Sequence, residues 1–257
     1  MLFRSGRARR NVAHHQGFRV GFAPASVSRM LAWTVYISFG GALAAFLCRR
    51  DEPHMARLVA LFAAVAGLVC GLIGSLQLPD PRGILTLVQV PWIPSIKAEY
   101  HLAADGISLT LVLLTGVAAV AGILFSWNIE RRANEFFALY LMLIGGVYGV
   151  FLSFDLLLFF VFYEIAIVPK YFLVAIWGST RREYGAMKLA LYSFIGSAMV
   201  LIGLVAAYAV AGGRGFDLAE LARYPFPREF QLWAFPLVFT GFAILDRKST
   251  RLNSSHT

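Results

Sequence analysis

The chain has 257 residues, of which 59% are hydrophobic and only 14% charged, with a mean hydropathy of +0.69. Soluble globular domains carry roughly 45–50% apolar and about 25% charged residues, so this composition excludes an ordinary soluble enzyme. A formal charge of +9 could signal nucleic acid or an anionic membrane surface, but residues 1–29 contribute +6, residues 246–257 contribute +2, and the stretch between is almost neutral at +1.

Cys48 and Cys70 are the only cysteines, both inside apolar runs without His or Cys at ligand spacing, which excludes a disulfide framework and a structural zinc site. The two flanks resemble neither the middle nor each other. An apolar run from Phe230 to Leu245 gives way to Asp246-Arg-Lys-Ser-Thr-Arg-Leu-Asn-Ser-Ser-His256, a polar string without periodicity. That string reads like the in-frame translation of a sequencing adapter, and so does the opening Met1-Leu-Phe-Arg-Ser5. Residues 1–29 are therefore expected to be a non-native leader, 246–257 an adapter-derived tail, and 30–245 the domain to interpret, with Met30 as its start. Both flanks are expected to pack against nothing.

In chain order, Met30–Cys48, Leu58–Pro79, Gly106–Ile129, Phe136–Phe154, Leu156–Gly178 and Leu189–Gly213 are apolar runs long enough to cross a membrane. About 20 residues at 1.5 Å each span a hydrocarbon core of roughly 30 Å. Phe230–Leu245 reads as part of a seventh span. A helix satisfies its own backbone in lipid, and these runs do not alternate as barrel strands would, so an all-α polytopic membrane bundle is expected. Gly67–Gly71 and Gly145–Gly149 allow close helix approach and are read as packing. Between the second and third spans, residues 80–105 carry Pro81, Pro91 and Pro94, which forbid a continuous helix. With Trp92 and Tyr100 as interfacial anchors, this segment is expected on the membrane surface.

Loop charge sets orientation. Arg49, Arg50 and Arg57, then Arg131 and Arg132, then Arg181, Arg182 and Lys188 place eight basic residues in three short loops on one side. Arg82, Lys97, Arg214, Arg223 and Arg228 are spread over longer loops on the other. The first side is read as cytoplasmic, in a bacterial inner (plasma) membrane.

No nucleophile constellation, phosphate loop, metal cluster or dinucleotide fingerprint appears in residues 30–245. Glu164 stands out, because eight apolar or aromatic residues precede it, Leu156 to Tyr163. A carboxylate at bilayer depth costs at least about 2.5 kcal/mol, so such a residue faces protein or water and marks an ion or proton path. Lys170 lies six residues on, about 120° away on an ideal helix, and reads equally as a snorkelling lysine or a functional one. Asp105 and Asp155 read as helix caps. Lys188 opens the sixth helix and could join the same charge network.

Tyr163-Glu-Ile-Ala-Ile-Val-Pro-Lys-Tyr-Phe-Leu-Val-Ala-Ile-Trp-Gly178 resembles the fifth helix of subunit M of the proton-pumping NADH:quinone oxidoreductase, complex I, one of its antiporter-like subunits. Trp92-Ile-Pro94, His101-Leu102 with Asp105-Gly-Ile-Ser-Leu109, Gly149-Val-Phe-Leu152 with Asp155, and Phe242-Ala-Ile are similar to the same family. The resemblance implies a 14-helix antiporter-like fold with two inverted five-helix repeats, of which this chain would be a fragment. It also implies that Glu164 is the key glutamate, that Lys188 matches a basic residue of the sixth helix, and that other membrane subunits of complex I, the lipid bilayer and protons are the partners. The family's broken seventh helix carries a lysine where Leu245 stands, and relatives have Met at the position of Lys170. No cofactor is expected in this chain, redox groups and NADH being held by other subunits, and no nucleic acid. A cation/proton antiporter or membrane-bound hydrogenase subunit of the same fold is the alternative; a non-transporting scaffold is opposed by Glu164.

Overall fold

The computed structural model describes residues 20–22, 25–50, 52–76, 83–179 and 181–246. Helices α1 (Ala25–Leu47), α2 (Pro53–Leu76), α3 (Gly106–Phe125), α4 (Ala133–Leu152), α5 (Leu156–Trp177) and α6 (Arg182–Val210) are each long and apolar enough to cross a membrane. A short helix α7 (Leu218–Arg223) and a longer α8 (Arg228–Asp246) follow. The six expected spans and the start of a seventh are thus present as helices.

Three strands depart from a purely helical chain. Strand β2 (Ile84–Ile93) and strand β3 (Ala98–Ala104) form an antiparallel hairpin between α2 and α3. The proline-rich segment expected on the membrane surface is a folded hairpin. Its register shifts between Thr86 and Val88 and again between Pro91 and Ile93; Pro91 has no N–H to give the ladder, and prolines inside strands belong at such irregularities. The turn is a single 3-10 turn at Pro94–Ile96, closed by Lys97 with φ of 53°. The base of the hairpin is buried through Ile84, Leu85, Leu87 and Leu102, while Val90 and Trp92 near the tip are exposed.

Strand β1 (Val20–Phe22) runs parallel to β2, pairing Val20 with Ile84 and Phe22 with Thr86. Together with the start of α1 at Ala25, this corrects the expectation that all of residues 1–29 pack against nothing. The backbone edge of β2 offers donors and acceptors to any extended segment beside it. Asp246, the first residue of the expected tail, ends α8, and the remainder of that expectation, residues 1–19, 23–24 and 247–257, lies outside the described residues.

The core is centred on α4, which packs against α1 and α5 and buries Phe137, Leu141, Tyr148 and Leu152. Glycines permit these contacts. A Cβ on Gly146 would lie 2.9 Å from the Cβ of Ala166, and one on Gly149 would strike the Phe162 ring. Both contacts bring α5 against α4 on either side of residue 164. Helix α8 closes on α6 in the same way, since a Cβ on Gly241 would lie 2.8 Å from the Gly196 carbonyl oxygen.

The connections sort into two ends. At one, Arg50 pairs with Glu135 at 3.1 Å, Arg132 pairs with the same carboxylate, Arg57 donates to the Ile129 carbonyl at 3.1 Å, and Trp177 Nε1 donates to the Arg131 carbonyl at 2.9 Å. These bonds tie the α1–α2, α3–α4 and α5–α6 connections together, the three that carry the basic residues. At the other end, the hairpin, the α4–α5 turn and the α6–α7 connection meet. The grouping read from loop charge is the grouping found.

Candidate functional site

Helix α5 carries two acids in contrasting surroundings. Asp155 caps its first turn, as the sequence suggested: Oδ1 accepts from Leu157 N at 2.9 Å and Leu158 N at 3.0 Å. Oδ2 accepts from Glu99 N of the hairpin at 3.1 Å. The residue is 1% exposed, and these three donors replace the water it has lost. Burial raises its carboxyl above the ordinary range, the three N–H bonds oppose this in part, and the charge of Asp217 adds to the rise. Asp105 caps α3 similarly, accepting from Ser108 N at 2.7 Å.

Asp217 belongs to the same end of the bundle and was missed in the sequence. It caps α7, accepting from Ala219 N at 2.9 Å and Glu220 N at 3.1 Å, and its Oδ2 lies 2.7 Å from His101 Nδ1. An ionised carboxylate only accepts, so Nδ1 carries the proton and donates. Burial works to raise the Asp217 carboxyl, but the His101 bond and the two backbone N–H groups outweigh it and hold it below its usual value. Asp217-Leu-Ala-Glu220 has the spacing of a helix start, which was the available signal. The pairing with His101 joins residues 116 apart in sequence; no local pattern announces it. The backbone completes the seam: Phe154 N donates to His101 O, Leu156 N to Phe216 O and Leu218 N to Phe154 O, each at 2.9 Å.

Glu164 sits nine residues, about 13 Å, further along α5. The residues flanking it on the helix meet other elements: Tyr163 stacks on Phe159 and meets the Phe242 ring of α8 edge-on at 5.9 Å, while Ala166 touches α4 at Gly146. Among the described residues, Oε1 of Glu164 is a buried oxygen with no hydrogen-bond partner. Pro169 lies inside the same helix and cannot donate to the Ile165 carbonyl one turn back.

The lysines are elsewhere. Lys170 is exposed, and Lys188 is exposed with its ammonium over the Tyr184 ring at 5.5 Å. None of the ion pairs among the described residues joins Glu164 to either. The structure packs the residues on either side of Glu164 against α4 and α8, and leaves the two cations exposed. Glu135, which joins two arginines of the opposite end, also went unnoticed in the sequence, where its position at the head of a span looked like an ordinary flank.

Residues 153–245 match the family described as NADH:quinone oxidoreductase/Mrp antiporter, TM. The chain is 38% identical over 153 residues to an NAD(P)H-quinone oxidoreductase chain 4 of Synechococcus sp. (strain JA-2-3B'a(2-13)), covering 60% of this chain and 29% of that protein. It thus spans less than a third of that relative. Among solved structures it resembles a chain of respiratory complex I from Thermus thermophilus with bound NADH, with a TM-score of 0.69 and 24% identity, covering 84% of this chain and 43% of that one. It also resembles a chain of the Mrp complex from Dietzia sp. DQ12-45-1b, with a TM-score of 0.65 and 17% identity, covering 84% of this chain and 23% of that one. The fold is the antiporter-like helical fold of these membrane complexes.

Proposed function

We propose that this chain works as a proton-translocating membrane subunit of an NAD(P)H:quinone oxidoreductase, with Glu164 as the group that takes up and releases the proton. The observation that carries this reading is the buried, unpartnered Oε1 of Glu164 inside a membrane-length helix. A fixed structural carboxylate would have its hydrogen bonds satisfied. A carboxyl group at bilayer depth is costly, and one that is kept there without a partner marks an ion or proton path. The gap in the ladder at Pro169 gives α5 freedom to bend one turn beyond it.

In this reading NADH and the redox groups are bound by other subunits of the complex, and this chain supplies charge movement alone. Lys188 would act as a cation that responds to the proton on Glu164 at a distance rather than by a direct ion pair, and Lys170 would snorkel toward the interface. The basic end would face the cytoplasm of a bacterium, with the chain passing repeatedly through the inner membrane.

The test is Glu164→Gln in the assembled complex, in sealed membrane vesicles. The variant keeps size and hydrogen-bonding capacity, so assembly is expected to survive while quinone-dependent proton uptake and the coupled quinone reduction both fall. Pumping at the parental proton-to-electron ratio would overturn the assignment. The similarity in fold to the Mrp chain keeps a cation/proton antiporter as a second reading; proton movement driven by a sodium gradient, without a quinone, would select it.

A further inference from the structure

Two adjoining cavities lie at the basic end of α6, outside the surroundings of Glu164. The first, about 610 Å³, is lined by Gly178, Ser179, Arg181, Arg182, Glu183 and Tyr184. The second, about 410 Å³, continues down the outer face of α6 past Met187, Leu191 and Ile195, and the two share Tyr184. The first is polar and basic, with two arginines, Arg181 and Arg182, and one carboxylate, Glu183, in its lining. The second is apolar apart from Lys188, whose ammonium is drawn back over Tyr184.

The depth of these cavities is set by helix length. Helix α6 has 29 residues, about 43 Å at 1.5 Å per residue, against a hydrocarbon core of roughly 30 Å. Its first two turns carry Arg182, Glu183, Tyr184 and Lys188 while its last two are apolar, so the surplus length is assigned to the N-terminal end at headgroup depth, where Tyr and basic residues concentrate. From Met187 to Ile195 the apolar groove runs about 12 Å along the axis, close to the thickness of one leaflet. Arg181 ends the preceding connection without capping the helix by its side chain. Arg182 gives one donor to the Ile176 carbonyl at 3.1 Å and keeps the rest of its fork free.

We propose that these cavities form a binding site for one anionic phospholipid, its phosphate held by Arg181 and Arg182 and an acyl chain lying along Met187, Leu191 and Ile195. Both halves of the argument are needed. A soluble anion would use the basic cavity alone, and a neutral lipid the groove alone; only an amphiphile with a negative head matches the order of the two along the membrane normal. The inference needs only the membrane reading of α6 and is independent of proton pumping.

The test is native mass spectrometry of the purified full chain in mild detergent. The probes are dioleoylphosphatidylglycerol, dioleoylphosphatidylcholine and inorganic phosphate. The wild type is expected to retain one phosphatidylglycerol, to hold phosphatidylcholine roughly thirtyfold more weakly, as two cations at an anionic surface imply, and to lose neither to inorganic phosphate. Arg181→Gln with Arg182→Gln should lower phosphatidylglycerol retention to the phosphatidylcholine level. Met187→Trp with Leu191→Trp, which fills the groove, should lower both. Melting in the same detergent checks folding, and if the double arginine variant melts early, Arg181→Gln alone takes its place. Equal retention of the two lipids, no change on removing the arginines, or displacement by phosphate overturns the proposal.

Discussion

Asp155 and Glu164 are acids of one helix, and the fold treats them in opposite ways. Asp155, at the hairpin end, is 1% exposed and receives three backbone N–H bonds, two from its own helix and one from Glu99. Glu164, further into the span, has a buried oxygen that receives none. The first is a fixed joint, stabilised by the donors that hold it. The second keeps one buried oxygen without a hydrogen-bond partner among the described residues. Burial alone does not mark function; an acid at bilayer depth with a buried oxygen left without a partner is the candidate.

The largest effect is expected at Glu164. Glu164→Gln should lower quinone-driven proton uptake by about two orders of magnitude, the scale of a lost proton-transfer group, with little change in the melting temperature of the chain. Asp155→Ala should do the reverse. Losing the cap costs about 1 kcal/mol and stranding the Glu99 N–H a further 1–3 kcal/mol. Melting should show that loss, with proton uptake per folded complex unchanged. If the two variants gave the same phenotype, the distinction between the acids would collapse.

A smaller effect is expected from Asp217, and its sign depends on pH. Its carboxyl is held below the usual range in the folded chain, so its contribution is present above the unfolded carboxyl's titration and is lost as pH falls through the folded value. Asp217→Asn should cost about 1.5–3 kcal/mol at neutral pH, and the gap from wild type should close in acid. Asp155 is shifted upward, so its linkage runs the other way, favouring the fold below the unfolded value and losing that contribution as pH rises through the folded one. Melting curves from neutral to acid pH for Asp217→Asn and Asp155→Asn should therefore diverge in opposite directions. Smallest of all, Lys170→Met should change stability by no more than about 0.5 kcal/mol, as expected for an exposed residue with no ion pair among the described residues, and should leave proton uptake near the parental level.

The membrane-length helices were legible because hydropathy over about 20 residues reports a physical length. Even Leu156–Gly178 was recognised with Glu164 and Lys170 inside it. The hairpin was not, because Pro91 and Pro94 and the mixed polarity of residues 84–104 hide a strand pattern whose register is broken twice. Helix α7, six residues long, is too short for periodicity to reveal. At the site, sequence singled out Glu164 and the caps Asp105 and Asp155, each from its position in or before an apolar run. Lys170 and Lys188 could be named but not placed, since the direction a lysine takes at a helix surface depends on neighbours from other elements. His101 and Asp217 meet only because three loops converge.

The most direct test of Glu164 as a proton-carrying group is infrared difference spectroscopy of the reconstituted complex during quinone reduction, wild type against Glu164→Gln. The account predicts a carboxylic-acid C=O band in the wild type that rises and decays with turnover, shifts in deuterium oxide and is missing from the variant. A wild-type spectrum in which every turnover-linked carboxyl band persists in Glu164→Gln would contradict it.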